Sequence, residues 1–312
     1  LGVHIREIAP SLMPLHWYQR QALEACDQST FPNGTMGHGL KAAAQAGRSR
    51  VIVNGAGDEW ITGSRTYYAE ELAAGRMGKL ASCITADVRS IGAGATLHAF
   101  LRHGVFLLLS RGMQDFLRKV ATANRGDERE RGWLPQELRA RTLVPGETAL
   151  AVSMTVGQRR LLEFYYLEAM KDWGREQDEQ LNSGFGLETR RPMDTPALVQ
   201  FAMSVPERLR VRGDTFKFTH VNALRNWMPA KVLERKSKAE FSSVMRHALD
   251  PLEDWFCTTA GRRYPQYVDG TGLAKLFRYY KDHPRVGWPM WILWSIYGCL
   301  HPRFIEDGLV SA

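Results

Sequence analysis

The residues best suited to chemistry lie in three separate segments, and the first covers residues 51–64. It reads VIVNGAGDEWITGS, so Gly55, Gly57 and the acid Asp58 directly follow a β-branched run. Parallel α/β proteins bind ligands at the carboxyl ends of strands, glycine lets a ligand approach the backbone, and a carboxylate can hold Mg²⁺ against phosphate oxygens. The segment is therefore a candidate phosphate and metal turn, although a tight turn with a helix-capping Asp58 explains it equally well.

The second segment, residues 186–194, reads GLETRRPMD and concentrates two acids, two arginines and a proline. Such a mixture is most simply a salt-bridged helix start, with Asp194 capping a helix that begins near Pro196. A role in ligand binding would require the side chain of Arg190 to face a cleft.

The third segment, residues 205–238, contains nine basic and three acidic residues, so it carries +6 of the +8 net charge of the chain. Charge concentrated in this way indicates a polyanionic partner, whereas a solvated basic face is the simpler explanation for most of these residues. Two lysines stand apart. Lys217 lies between Phe216 and Phe218, and Lys238 precedes Phe241, which is predicted to anchor the next helix.

The elements that must position these residues are predicted from hydrophobic periodicity. Residues 50–54 form a short β-branched run between glycines and predict a buried strand, and residues 39–46 before it predict a helix. A helix, an apolar strand and a glycine turn in this order are typical of a parallel α/β sheet. A single strand cannot form a sheet, so its partners are expected upstream, in sequence that is not present.

Beyond Tyr67 the pattern is helical almost to the end. One predicted apolar stripe contains Val105, Leu109, Phe116 and Val120. Residues 177–186 are polar and end in glycines, which predicts a connecting loop. Residues 288–300 predict a terminal aromatic helix that packs on the rest of the domain.

Composition excludes several classes of protein. Hydrophobic residues make up 44% and charged residues 24%, which is typical of a globular chain and not of a disordered or collagen-like one. The four cysteines form no CxxC pair, so neither a zinc knuckle nor a thioredoxin-type centre is indicated. No apolar run reaches the roughly 20 residues that cross a bilayer, and the first ten residues do not read as a signal peptide. We expect a cytoplasmic protein with no membrane partner.

Taken together, the three segments resemble the asparagine synthetase family (asparagine synthase, glutamine-hydrolysing), in the C-terminal part of its synthase domain. Residues 51–64 resemble its strand–SGxGxDE–aromatic–GG turn, and are more similar still to the GGDEWLTGS form of asparagine-synthase-related proteins such as lasso-peptide cyclases. The order and spacing of the remaining matches make chance agreement improbable. They are the ExRxPxxD pattern at Glu188, Arg190, Pro192 and Asp194, the gg..K pattern at Gly213 and Lys217, and the KxxF pattern at Lys238 and Phe241.

This resemblance implies a fold class. Family members have an α/β fold of the adenine-nucleotide α-hydrolase-like (PP-loop) type, which would be truncated here and mostly α-helical with a remnant parallel sheet. Residues 1–312 would be the C-terminal part of one such domain. Within it, residues 1–64 would be the remnant of the nucleotide-binding sheet and residues 65–312 the helical portion.

The resemblance also implies an ATP-dependent ligase that uses Mg²⁺. Family members adenylate a carboxylate, here of a small molecule or a peptide, release pyrophosphate, and form an amide when ammonia or an amine attacks. Asp58 would be the Mg²⁺ ligand, and Lys238 would stabilise the departing pyrophosphate as a compact positive charge. Both would be catalytic, whereas nucleotide or substrate would be bound by Gly55, Gly57, Glu59, Glu188, Arg190 and Lys217. Arg190 and Glu188 would also brace the turn around Asp58.

The sequence also departs from the family pattern. The nucleotide-gripping loop SGGxDS, whose amides would cradle phosphate, does not occur in these 312 residues, and neither does a glutaminase domain. The catalytic glutamate of the authentic turn falls on Gly55 or Ala56, and a family arginine falls on Val221. We therefore expect an N-terminally incomplete chain that is inactive by itself.

The sequence leaves two alternative functions open. The chain can be a catalytically inactive ligase remnant that acts as a binding module. It can also be a nucleic-acid-binding protein, because of its +6 segment. The second alternative ranks lower, since Lys217 and Lys238 already have a phosphate-binding role in the ligase interpretation.

Overall fold

The computed structural model describes residues 4–25, 28–110, 112–114, 116–117, 120, 132–141, 154–162, 169–235 and 241–306. Within these ranges the chain is mostly helical and contains one small parallel sheet. The α-helices span Leu15–Ala25, Pro32–Thr35, His38–Ala46, Tyr67–Ala73, Met77–Ile91, Ala93–Phe100, Phe106–Leu108, Gln136–Arg141, Val156–Leu162, Ala169–Ser183, Pro196–Ser204, Glu207–Arg210, Phe218–Ala223, Ala230–Leu233, Ser242–Leu249, Ala260–Arg263, Gly270–Asp282 and Trp288–Glu306. Shorter 3₁₀ and π segments span Asp58–Ile61, Leu101–Val105, Pro192–Asp194, Asp250–Leu252 and Trp255–Thr259.

The sheet has two parallel strands, β1 (Val51–Val53) and β2 (Glu188–Arg190). Their register pairs Val51 with Glu188 and Val53 with Arg190. The predicted strand and the helix before it are therefore confirmed. The expectation that the partners of β1 lie upstream is wrong for this pair, because β2 comes from the second chemistry-bearing segment, far downstream.

Strand β1 is more exposed than its sequence predicts. Val51 is 44% exposed and Val53 is 66% exposed, whereas Ile52 between them is half-buried. An all-apolar strand is buried on both faces only where helices cover both faces of its sheet. Here alternate residues of β1 face outward, so the prediction of a buried strand is wrong for the described part of the chain.

The main apolar core is formed by the first helix together with the last helices of the described chain. Phe256 stacks on Phe277 with ring centroids 5.3 Å apart, and both side chains are almost completely buried. Trp294 is fully buried and donates a hydrogen bond from Nε1 to the Thr30 carbonyl at 3.1 Å. The predicted terminal helix is thus confirmed as Trp288–Glu306. Among the described residues, no helix combines the length and the apolar character that crossing a membrane requires.

Two predictions of local structure are wrong. The stripe from Val105 to Val120 is not buried, because the chain leaves helical geometry at Leu109, while Phe116 is 60% and Val120 55% exposed. The loop predicted over residues 177–186 is helical as far as Ser183. Glutamine and glutamate are good helix formers, and the buried Gln177 accepts a hydrogen bond from the Thr30 hydroxyl at 2.6 Å.

Candidate functional site

The turn after β1 is held tightly against the second segment. Gly57 has a left-handed backbone with φ of 95°, and a Cβ added to it would lie 2.9 Å from the Met193 carbonyl carbon. Only glycine fits both conditions without strain. Gly55 differs, since a Cβ there would meet nothing within 4 Å. One side of the turn is therefore packed, and Gly55 leaves the backbone of the other side accessible to a ligand.

Trp60 fixes the short 3₁₀ helix Asp58–Ile61 that follows the turn. Its indole is 1% exposed and donates from Nε1 to Asp194 Oδ1 at 2.6 Å. Asp194 therefore anchors Trp60, and its predicted role as a helix cap is wrong. The helix Pro196–Ser204 begins where the sequence predicts, but its N-cap residue is Thr195, which makes no side-chain capping bond.

A buried ion pair holds the end of this segment. Arg210 Nη1 lies 3.3 Å from Glu207 Oε1, and these side chains are only 2% and 5% exposed. Arg210 also donates to the Trp60 carbonyl at 3.4 Å, and Glu207 Oε2 accepts from the Ser64 amide at 2.8 Å. We call Glu207 and Arg210 the buried clamp, because together they fix the backbone on both sides of Gly63.

The electrostatics of the buried clamp reflect its removal from water. Burial raises the pKa of the Glu207 carboxyl, and the neighbouring Arg210 guanidinium opposes that shift. Gly63 fits only because it lacks a side chain, since a Cβ there would lie 2.5 Å from Arg210 Cβ. The sequence analysis missed the clamp. Its only signal is the i,i+3 spacing of an acid and an arginine after Pro206.

The third segment reaches the same place through the turn that precedes Lys217. The Gly63 amide donates to the Phe216 carbonyl at 2.8 Å. Lys217 then forms an ion pair with Asp58, from Nζ to Oδ2. The Asp58 side chain is 42% exposed and that of Lys217 27%, so a ligand can reach both charged groups. The structure thus brings together two residues that the sequence singled out independently.

Arg65 holds the turn that precedes Lys217 in place. It donates from Nη2 to the Gly213 carbonyl at 2.5 Å, and its guanidinium lies 5.2 Å from the centre of the Phe216 ring. Arg65 is itself fixed by Asp87, whose Oδ2 is 3.1 Å from Arg65 Nε and also accepts from the hydroxyls of Tyr67 and Tyr68. The helices that contain Asp87, Tyr67 and Tyr68 therefore hold Arg65 in place, and Arg65 in turn holds the turn that precedes Lys217.

His220 is a further titratable group beside the ion pair, and the sequence analysis did not select it. It lies one helical turn after Lys217, in the helix Phe218–Ala223, and is half-buried. Burial lowers its pKa, the charge of Lys217 lowers it further, and Asp58 opposes both effects. The i,i+3 spacing from Lys217 was the available signal.

Other predicted site residues lie around this ion pair in different ways. Glu188 and Arg190 form an ion pair with each other at 2.8 Å, and both side chains are more than half exposed. The backbone of β2 contacts the turn instead, because the Asn54 amide donates to the Arg190 carbonyl at 3.1 Å. Glu59 follows Asp58 in the 3₁₀ helix. Lys238 lies outside the described residues, so its role in stabilising pyrophosphate stays a prediction.

The donor set fits a metal ion that arrives with phosphate. Among the described residues, no group of three or more histidine, cysteine, aspartate or glutamate side chains could hold a metal ion. Mg²⁺ in nucleotide sites is commonly bound by one or two carboxylates, with phosphates and water completing its shell. Asp58 is a single accessible carboxylate beside a lysine. It suits a magnesium ion whose remaining ligands come from a bound nucleotide.

Comparison with known proteins places the chain in a family. The sequence model of the asparagine synthase family matches residues 16–297, which is nearly the whole chain. The protein therefore belongs to the asparagine synthase family, as its three motifs indicate. Neither the curated proteins nor the solved structures contain a match to it.

Proposed function

We propose that this protein is an ATP-dependent amide-forming ligase. In the proposed reaction a carboxylate oxygen attacks the α-phosphorus of ATP, and pyrophosphate leaves with the electrons of the broken phosphoanhydride bond. The nitrogen of ammonia or an amine then attacks the acyl carbon, AMP leaves with the electrons of the C–O bond, and the nitrogen loses a proton. The observation that carries this proposal is the accessible Asp58–Lys217 ion pair at the carboxyl end of β1, in a chain of this family.

The residues around that ion pair have distinct proposed roles. Asp58 holds Mg²⁺, which neutralises phosphate charge when ATP is bound. Lys217 exchanges its carboxylate partner for a phosphate oxygen, which its Nζ can do without leaving the site. Gly55 lets the nucleotide approach the backbone, since nothing lies within 4 Å of where its Cβ would be. Lys238 stabilises the departing pyrophosphate.

The fold class implied by the motifs also belongs to this proposal. We infer that β1 and β2 are part of a PP-loop type sheet. Residues 1–64 and 65–312 would then be its sheet remnant and its helical portion, and the helical portion contributes β2. The likeness to lasso-peptide cyclases, which act on a peptide carboxylate, makes a peptide or a small carboxylate the proposed substrate.

The test uses the full-length protein and two matched pairs of variants. Binding of the non-hydrolysable analogue AMPPNP is measured by calorimetry with and without Mg²⁺. Exchange of labelled pyrophosphate into ATP is then measured with a panel of carboxylates that begins with L-aspartate. Asp58→Asn is compared with the exposed Asp282→Asn, and Lys217→Met with the exposed Lys231→Met.

We expect Asp58→Asn to abolish the Mg²⁺ dependence of binding and Lys217→Met to lower the exchange rate by about 100-fold. Asp282→Asn and Lys231→Met should have much smaller effects. Equal losses for Lys217→Met and Lys231→Met would contradict the proposal, because they would show a diffuse basic field. Binding of a DNA oligonucleotide with a steep salt dependence would then favour the nucleic-acid alternative.

A second function is favoured by one observation at Gly55. The catalytic glutamate of the family turn falls on Gly55 or Ala56, and Gly55 faces open space with no side chain. A protein that binds AMPPNP and Mg²⁺ but exchanges no pyrophosphate with any carboxylate would be a binding module derived from a ligase. The two measurements therefore separate the two functions.

A further inference from the structure

A cavity of about 260 Å³ opens between the helices Met77–Ile91 and Glu207–Arg210 and the turn at Gly213. Its lining shares no residue with the Asp58–Lys217 ion pair. Three positively charged side chains line it, namely Lys79, Arg208 and Arg212. None of the motifs that define the candidate site accounts for them.

The only acid among the residues that line this cavity is already neutralised. Asp87 is 3% exposed and contacts Arg65 at 3.1 Å while it accepts two tyrosine hydroxyls. Its charge is therefore offset inside the protein. It leaves Lys79, Arg208 and Arg212 with no opposing charge in the lining.

The nearest other acid is neutralised as well. Glu71 forms an ion pair with Arg76 at 2.5 Å and lies 3.9 Å from Arg208. The hydrogen bond from Arg76 is the main cause that lowers the pKa of Glu71, and the charges of Lys79 and Arg208 lower it further. One carboxylate is thus shared among Arg76, Lys79 and Arg208, so the cavity keeps an excess of positive charge that an anion would balance.

Much of the rest of the lining is apolar and partly aromatic. Leu209 and the buried Val211 form part of the wall, and Phe218 lies under Arg212, whose guanidinium is 5.2 Å from the ring centre. Small-molecule sites commonly combine such an apolar wall with a few convergent polar groups. This lining therefore suits a ligand with an oxyanion at one end and a compact apolar body at the other.

We infer that this cavity binds a small organic anion, a carboxylate or a phosphate ester with a compact apolar or aromatic body. The site is separate from the nucleotide site and does not depend on the proposed ligase function. It is nevertheless adjacent in the chain, because the backbones of Arg212 and Thr215 pair in a turn that leads directly to Lys217.

Calorimetry on the full-length protein tests this inference with three probes that share a phenyl ring: benzoate, phenyl phosphate and the neutral benzamide. We expect one or both anions to bind and benzamide not to bind. Lys79→Gln and Arg208→Gln should each weaken binding about 10-fold, the loss of one charge-assisted hydrogen bond. Arg89→Gln is the matched control, since Arg89 lies exposed on the same helix as Lys79 and outside the cavity.

Lys217→Met separates this site from the nucleotide site. If that variant loses the anion while Lys79→Gln keeps it, the anion occupies the nucleotide site and the inference is wrong. Equal losses in Lys79→Gln and Arg89→Gln, equal affinity for benzamide, or no binding of either anion would also overturn it. Should Arg208→Gln unfold by circular dichroism, Arg208→Lys keeps the charge, and Lys79→Gln still decides the outcome. The ratio of benzoate to phenyl phosphate affinity identifies the head group.

Discussion

Two regions of this molecule are held together by different forces. Around the terminal helix the packing is apolar and aromatic, and Leu293, Trp294 and Phe256 are completely buried. Around the turn that follows β1, a small apolar cluster of Trp60, Ile61 and Ala202 is joined by buried polar contacts: Glu207 with Arg210, and Asp194 with Trp60. Apolar burial stabilises a fold without fixing directions, whereas buried hydrogen-bonded charges stabilise only one arrangement. We therefore expect the first region to set stability and the second to set the geometry of the site.

The polar contacts are also long-range in sequence. Trp60 and Asp194 are 134 positions apart, Ser64 and Glu207 are 143 apart, and Asp58 and Lys217 are 159 apart. The first contact joins the first and second motif segments, and the other two both join the first segment to the third. Losing the Trp60–Asp194 or the Ser64–Glu207 contact leaves a buried polar group unpaired, and losing any of the three releases one segment from another.

The largest effect is expected in the apolar core. Phe277→Ala removes a ring that is 1% exposed, so it should lower the free energy of unfolding by about 4 kcal/mol in urea denaturation. AMPPNP affinity of the folded protein should not change. Val232→Ala is the control, because Val232 is 50% exposed, and its cost should stay within about 0.5 kcal/mol. A cost below about 1 kcal/mol for Phe277→Ala would show that this core is loosely packed.

The next largest effect is expected in the buried clamp. Arg210→Met leaves Glu207 as an uncompensated buried charge, so the free energy of unfolding should fall by about 3 kcal/mol. In contrast with Phe277→Ala, it should also weaken AMPPNP binding at least tenfold, because the segment that carries Asp58 is released. The double variant Glu207→Gln with Arg210→Met should recover part of the stability and none of the affinity. Unchanged affinity in both would place the control of site geometry elsewhere.

The free energy of unfolding is expected to depend on pH through a buried histidine of the terminal helix. His301 is 3% exposed, and burial lowers its pKa to about 4 from the ordinary 6.5. Protonation therefore favours the unfolded chain, so its contribution is complete above pH 6.5 and is lost as the pH falls towards 4. Between pH 7 and 4.5 the loss should reach about 2 kcal/mol. His301→Gln should flatten this part of the profile, and an unchanged slope would assign it to other groups.

A smaller effect of opposite sign is expected beside the clamp. Burial raises the pKa of Glu70 above 4.5, while Glu70 Oε1 accepts a hydrogen bond from the Gly157 amide at 3.2 Å. The folded state thus disfavours the ionised form, and stability falls as pH rises from 4.5 through the raised pKa. Glu70→Gln keeps an acceptor for Gly157 and removes the charge. It should stabilise the protein by up to about 1 kcal/mol at pH 8 and by much less at pH 4 in thermal unfolding. Destabilisation at pH 8 would show that Arg210 needs this second acid.

Local signals predicted those parts of the fold that depend on neighbours in the chain. The β-branched run gave β1, the glycines after it gave the turn at Gly57, and the aromatic run gave the helix Trp288–Glu306. The exposure of β1 could not be predicted in this way, because burial depends on what covers a strand. The predicted stripe from Val105 to Val120 fails for another reason, because the chain leaves helical geometry at Leu109.

The candidate site was predicted in part and for a different reason. Asp58 and Lys217 were selected from motif order, and the structure shows that they touch. The contacts that position them could not be deduced from spacing. In the sequence, Arg210 with Glu207 and Arg65 with Asp87 look no different from charged residues on a protein surface. Burial is what fixes the geometry of these ion pairs. Asp194 is an example, because the sequence cannot distinguish an aspartate that caps a helix from one that accepts a hydrogen bond from a distant indole.

The parallel pairing of β1 with β2 has a consequence for synthesis. Val51 pairs with Glu188, 137 positions later, so at about 5–20 residues per second the ribosome makes the two strands roughly 7 to 27 seconds apart. During that interval β1 presents its β2-facing amides and carbonyls unpaired, with Val51 and Val53 among its apolar side chains. An unpaired apolar strand edge is a template for joining other chains. Nascent or prematurely terminated chains that contain β1 but stop before Glu188 should therefore be the aggregation-prone form of this protein, and a chaperone that binds extended apolar segments would act in that interval.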